Sequence, residues 1–263
     1  MKDLFSMEGK TVVITGGAGY LGSAVVEGLL EFGAEVVVGD IVVKKPEEIV
    51  TNGKTYPRLH SVLCDISSTD SIREYFKTAK EICGKIDVLI NCGAFGAGHG
   101  PGSQIEFMTD DVWAKGVDGV AGATFRCTRE IIPYLVEVGG GSIVNFGSMY
   151  GVVSPDFRIY GDNPNRNPPN YGSAKAAVIQ FTKYAASQLA EKNIRVNSVC
   201  PGPFPSVKNQ EDTEFIAKLA GKTMMNKIGQ PRDMAGAVLL LASEASGFMT
   251  GANIMVDGGW TAW

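Results

Sequence analysis

Histidine is almost missing from this chain: among 263 residues there are two, His60 and His99. A zinc centre built on histidines, or a Ser-His-Asp triad, has next to no material here, and no metal is expected. The five cysteines, Cys64, Cys83, Cys92, Cys127 and Cys200, are odd in number, scattered and free of any CxxC pair. That excludes a disulfide framework and points to reduced thiols, mostly small buried hydrophobes, in a cytoplasm-like compartment. Long apolar runs are missing too, and the N-terminal MKDLFSMEGK has no apolar signal core, so a soluble, unprocessed, cytoplasmic protein is expected. Charge of one sign never accumulates in a block, and the net charge is only -4. Neither nucleic acid nor an anionic membrane is expected as partner.

What the chain does have is a 44% hydrophobic composition, enough to bury a large core. Short apolar runs recur: TVVIT (11–15), EVVVG (35–39), LHSVLC (59–64), IDVLI (86–90), SIVNF (142–146), IRVNSV (194–199) and NIMV (253–256). They are continuous rather than alternating, which suits parallel strands covered on both faces. Helical patterns lie between them over 20–33, 68–82, 110–138 and 171–191. The last carries an apolar stripe of Ala174, Ala177, Val178, Phe181, Ala185 and Leu189. This alternation predicts an α/β fold: a Rossmann-type doubly wound parallel sheet of about seven strands, helices on both faces, with ligands beyond the carboxyl ends of the strands. With no repeat, linker or composition break, 1–263 reads as a single domain.

The first such unit, TVVITGGAGYLGSAVVEGLLEFGAEVVVGD, is strand, glycine turn, helix, strand, acid. Gly16, Gly17, Gly19 and Gly22 stand where the chain must turn tightly and let a pyrophosphate approach the backbone at a helix N-terminus. Asp40 ends the second strand, 18 residues after Gly22. There a carboxylate accepts both ribose hydroxyls and repels a 2′-phosphate. Ile41 and Val42 follow instead of arginine, which favours NAD over NADP. Lys44 and Lys45 come next and read as solvated loop lysines.

Several motifs, in order, make the chain resemble the short-chain dehydrogenase/reductase family, in its short single-domain branch. They are TGGAGYLG, CDIS (64–67), NCGA (91–94), YGSAK (171–175) and PGPFPS (201–206). The resemblance covers nearly the whole chain. It implies a cofactor bed of Gly16, Gly19, Tyr20, Leu21 and Gly22, then Asp40 and Ile41, Asp65 and Ile66, and Asn91 and Gly93. Tyr171 and Lys175, and Pro201, Gly202, Phe204 and Ser206, complete it. It implies Ser148, Tyr171 and Lys175 as the catalytic residues, a small-molecule alcohol or carbonyl substrate, and a homotetramer or dimer. The tyrosine–lysine pair also makes physical sense. Positions i and i+4 share one helix face. A phenol alone is a poor acid–base at neutral pH, and a nearby ammonium and a cationic nicotinamide favour its ionised form. Tyr150 and Tyr160 have no lysine four residues on and read as pocket lining or loop packing. With Tyr171 in that role, His99 is not expected to be a catalyst. Residues 203–222 are expected to form a lid over the nicotinamide, and Trp260 and Trp263 a core or subunit contact.

Three departures from the family pattern stand out. The glycine loop has TGxxGxxG spacing with Tyr20 in a glycine place, as in the extended branch of epimerases and dehydratases. In DVWAKGVDGVAGATFRCTRE the family's fourth catalytic residue, an asparagine, is replaced by Val120; Asp118 is on the wrong side of a helix to substitute, and Gly116, Gly119 and Gly122 suggest an irregular helix. Ser148 and Tyr171 are separated by 23 residues, about twice the family's usual gap. Residues 149–170 thus form an insertion, rich in proline and asparagine and ordered by them. Arg158 or Arg166 within it can clamp a substrate carboxylate or simply pair on the surface. The leading expectation is an NAD-dependent alcohol/carbonyl oxidoreductase, with a sugar or sugar acid as substrate through similarity to gluconate and sugar dehydrogenases. A non-catalytic NAD-binding scaffold and an epimerase or dehydratase that recycles NAD stay open beside it.

Overall fold

The computed structural model describes residues 2–50, 52–98 and 100–263; His99 lies outside them. Strand β1 (Thr11–Thr15) is followed by helix α1 (Tyr20–Glu31), β2 (Glu35–Asp40) and the short α2 (Pro46–Ile49). Next come β3 (Leu59–Leu63), α3 (Thr69–Cys83), β4 (Val88–Asn91), α4 (Asp110–Val117) and α5 (Ala123–Glu137). The rest is β5 (Gly141–Phe146), α6 (Pro169–Leu189), β6 (Ile194–Pro201), α7 (Thr213–Gly221), α8 (Asp233–Ala242) and β7 (Asn253–Val256). The strands form one sheet in the order β3-β2-β1-β4-β5-β6-β7, and every neighbouring pair is parallel. Among the described residues no helix is long and apolar enough to cross a membrane.

Continuous apolar strands follow from burial on both faces. Val12, Ile14, Val36 and Val38 point to one side, where α1 and α8 cover them. Val13, Val37 and Leu89 point to the other, against α3, α5 and α6. Helix α3 is bounded as its sequence suggests, by a Ser68 cap that accepts the Ser71 N–H and a left-handed Gly84 at its end. Helix α8 has no counterpart among the expected elements. DMAGAVLLLA is apolar almost all round and carries no stripe to read, because the helix is sunk between α1 and the sheet. On α6 the stripe is shifted: Ala177 is exposed, and Thr182 and Ala186 are buried instead.

Between α4 and α5 the helix widens into a π turn over Asp118–Gly122. The Gly119 carbonyl leaves the helix ladder and accepts the N–H of Phe95 at 3.1 Å. The irregularity therefore ties this helix to the loop after β4.

Candidate active site

The strand order reverses between β1 and β4, and a groove of about 840 Å³ opens beyond their carboxyl ends. Its floor is the β1–α1 turn. Gly16 has φ +69°, and a Cβ there would lie 2.6 Å from the Gly93 Cα. A Cβ on Gly22 would lie 2.3 Å from the Gly16 carbonyl oxygen. Helix α1 begins at Gly19 without a side-chain cap and without an acid in its first turn. Its first amides are thus bare, which is the chemistry a pyrophosphate needs. Asp40 and Ile41 line the groove at the end of β2, and Asp65 and Ile66 after β3. Hydrogen bonds from the Ser67 hydroxyl and amide hold the Asp65 carboxyl below its usual range. The site thus fits a dinucleotide.

Not every expected residue reaches the groove. Asn91 lies under it, in a buried ladder: its amide donates to Asn145 Oδ1 at 2.8 Å, and the Asn145 amide donates to Thr182 Oγ1 at 2.9 Å. Ser206 is exposed and heads the 3-10 turn at Val207–Glu211, outside the lining. Lys44 is not a free loop lysine: its ammonium donates to the Ala18 carbonyl at 2.9 Å, against the glycine turn. Phe95 and Lys115 line the groove without having been marked by any motif.

The chemistry-bearing residues meet where this groove joins a second cavity of about 540 Å³. Ser148 follows β5 and is 6% exposed; its Oγ accepts the Tyr150 N–H at 3.1 Å. Helix α6 starts at Pro169, an N1 proline whose fixed φ suits a first turn and whose missing N–H costs nothing there. The prolines ahead of Tyr171 therefore place that tyrosine in the first turn of its helix. Lys175, one turn on and 6% exposed, donates to the Phe146 carbonyl at 2.6 Å. Its Nζ lies 5.8 Å from the Tyr171 ring centre.

The second cavity is mainly apolar and aromatic. Phe95, Val120, Met149, Phe204, Phe215 and Leu219 form much of its wall. The insertion contributes Tyr160, Asn167 and Pro168. Burial pushes the Tyr150 and Tyr160 hydroxyls above the usual phenol range. Both are neutral wall groups. Val120, 1% exposed, packs on Ala174 and Val178, while Asp118 faces outward and pairs with Arg126. Neither insertion arginine reaches the cavity: Arg158 pairs with Asp156, and Arg166 donates to the Asn163 and Gly161 carbonyls. Burial raises the Cys92 thiol to about 12 and the Cys200 thiol to about 11, which leaves neither as a ready nucleophile.

Residues 149–170 and the segment around α7 are joined. Asp156 binds Arg158 and also Lys222 just after α7, and these bonds, Arg158 first, hold its carboxyl well below the usual range. Tyr160 stacks near Phe215, and Ile159 packs with Leu219. Asp156→Ala is therefore expected to raise KM for the substrate several-fold while dinucleotide affinity stays constant. Steady-state kinetics beside a cofactor titration checks this.

A family model described as enoyl-(acyl carrier protein) reductase matches residues 17–261. The chain belongs to the short-chain dehydrogenase/reductase family. It is 32% identical over 255 residues to the 3-oxoacyl-[acyl-carrier-protein] reductase FabG of Thermotoga maritima, spanning 96% of this chain and 98% of that protein. It is 28% identical to a 2-dehydro-3-deoxy-D-gluconate 5-dehydrogenase of Pseudoalteromonas atlantica, over 99% of both. A short-chain dehydrogenase of Leptospira borgpetersenii, solved with bound NAD+, superposes with a TM-score of 0.83 at 34% identity, over 97% of this chain and 94% of that one. This member of the family is thus an oxidoreductase, and its family uses a nicotinamide cofactor.

Proposed function

We propose that this short-chain dehydrogenase/reductase interconverts an alcohol and its carbonyl compound with NAD(H), using Ser148, Tyr171 and Lys175. One observation carries the reading: Ser148 and Tyr171 line both the dinucleotide groove and the aromatic cavity, and Lys175 lines the groove beside them. When bound, the nicotinamide supplies or accepts the hydride. Tyr171 gives its hydroxyl proton to the carbonyl oxygen in reduction and takes one from the alcohol in oxidation. The Ser148 hydroxyl holds the same oxygen. Lys175 spends one N–H on Phe146 and has others for the ribose.

The body of the substrate is neutral in this reading. Among the described residues lining the aromatic cavity there is no lysine or arginine, so the carboxylate of a sugar acid lacks a cationic partner there. Neutral sugars, polyols and ketones fit the hydroxyl and amide groups of Tyr150, Tyr160, Asn167 and Asn209. Residues 203–222 act as the lid. Gln210 within them donates to the Tyr20 hydroxyl at 3.0 Å, so the tyrosine in the glycine place anchors lid to turn. Exposed Trp113, Phe125 and Tyr184 on α4, α5 and α6 support a homodimer or homotetramer.

The test is a panel of polyols, sugars, sugar acids and ketones with NAD(H) and NADP(H), read at the nicotinamide absorbance. NADH accumulating in proportion to product supports the proposal and removes cofactor recycling by an epimerase. Dinucleotide binding with no transfer across the panel sinks it in favour of a scaffold. The preference for NAD is supported by Asp40, which lines the groove at the end of β2, where a carboxylate can accept ribose hydroxyls. Asp40→Ser is expected to weaken NAD(H) binding by roughly tenfold, the worth of a charged hydrogen bond. It also removes the carboxylate that would repel a 2′-phosphate, so the NAD/NADP ratio of kcat/KM should fall. An unchanged ratio would show that Asp40 does not select the cofactor.

A further inference from the structure

At the opposite end of the sheet from the groove, three different donor groups converge from three elements. Glu35 is the first residue of β2, His60 the second of β3, and Cys83 the last of α3. His60 Nε2 lies 3.0 Å from Glu35 Oε1. The Cys83 Sγ stands beside the same carboxylate. One oxygen, one nitrogen and one sulfur thus lie within 4.8 Å of one another. Nothing in the proposed hydride chemistry uses them.

We infer that Glu35, His60 and Cys83 form a three-ligand site for Zn²⁺ or a similar thiophilic dication, with water as the fourth ligand. In a tetrahedral zinc site with bonds of about 2.0–2.3 Å, ligand atoms stand about 3.3–3.8 Å apart. The cluster needs to contract by about an ångström at its widest, and two of its side chains have room to do so. The side chain of Glu35 is 37% exposed and that of His60 28%, which also gives an ion an entry path. The donor set selects the metal: thiolate with imidazole suits zinc, cobalt or cadmium, while magnesium and calcium want oxygen alone. Charge balances as well. A carboxylate, a thiolate and a neutral imidazole carry two negative charges, which the dication cancels. On binding, the sulfur–metal bond forms as the S–H bond breaks, and the proton leaves to buffer. The imidazole coordinates through Nε2 as the neutral ring. Loaded, the ion would staple β2, β3 and the end of α3 together at the sheet's edge.

The experiment uses the untagged full-length chain, stripped with a chelator, reloaded with Zn²⁺ or Co²⁺ and desalted. About one equivalent of zinc per chain should be retained, with a thermal midpoint that rises in zinc. The cobalt form should show the visible bands of four-coordinate cobalt and a near-ultraviolet thiolate-to-cobalt band. Cys83→Ser should abolish that band, and both it and His60→Asn should cut retention at least tenfold. Hydride-transfer activity should not change in either, because the groove lies at the other end of the strands. Zinc lost from the wild type on desalting would overturn the inference. So would equal retention and an unchanged cobalt spectrum in Cys83→Ser, which would place the metal on other cysteines. Should Cys83→Ser fail to fold, His60→Asn decides by the same retention measurement.

Discussion

Tyr171→Phe is expected to lose roughly a hundred- to ten-thousand-fold in kcat, the usual share of a general acid–base, while NAD(H) affinity stays within about twofold. The change removes one oxygen atom and leaves the packing of the ring on Val120, Ala174 and Val178 in place. Lys175 keeps its bond to the Phe146 carbonyl, which does not involve Tyr171. The loss should therefore fall on kcat and kcat/KM together, as it does when an interaction made in the transition state is removed. Pre-steady-state mixing of enzyme, NADH and a ketone identified by the panel reads it directly. Tyr150→Phe and Tyr160→Phe serve as controls, because their hydroxyls are held neutral in the cavity wall. If either control matched the loss in Tyr171→Phe, the assignment of the proton to Tyr171 would be wrong.

Gly22→Ala should be the most damaging change in the groove. The added carbon would sit 2.3 Å from the Gly16 carbonyl oxygen and 2.8 Å from the Gly17 Cα. Both are backbone, so neither can swing aside, and the N-terminus of α1 must lift from the turn. Overpacking of this kind costs about 1–3 kcal/mol in stability. The lifted amides no longer converge on a pyrophosphate, and NAD(H) affinity should fall at least about a hundredfold, or about 2.7 kcal/mol. Fluorescence titration with NADH and a thermal melt check both effects. Gly236→Ala on α8 is the matched control. A Cβ there meets nothing within 4 Å, so it should be neutral or slightly stabilising.

The strands were legible because burial on both faces writes itself as unbroken apolar runs. Helix α8 was not, since a helix buried on most sides has no polar face to set a period. The glycine turn and Tyr171–Lys175 were legible because each is local: turn, cap and i,i+4 spacing lie within a few residues. Phe95 and Lys115 reach the groove through tertiary placement, on a loop and a helix whose spacing announces nothing. Lys44 looked solvated because its partner is a carbonyl 26 residues earlier. Ser206 matched a motif position, yet the chain turns away there into the 3-10 segment. The insertion was visible as an excess of proline and asparagine. That it lines the aromatic cavity through Tyr160 and Asn167 and ties itself to Lys222 follows only from where the chain folds back.

The strand order has a chronological consequence. β1 is made first but sits mid-sheet, and its second neighbour is β4; the Thr11 amide is held by Asp87, 76 residues later. The wall opposite the glycine turn, Gly93, arrives after that strand. A growing chain can thus pair β1 with β2 and β3 early, but has no closed nucleotide pocket until β4 docks. The ledge for Tyr171 waits longer, for β5 and α6. Contacts so distant in sequence make folding slow, and they mean that an interrupted chain presents an open, apolar sheet edge rather than a half-active enzyme.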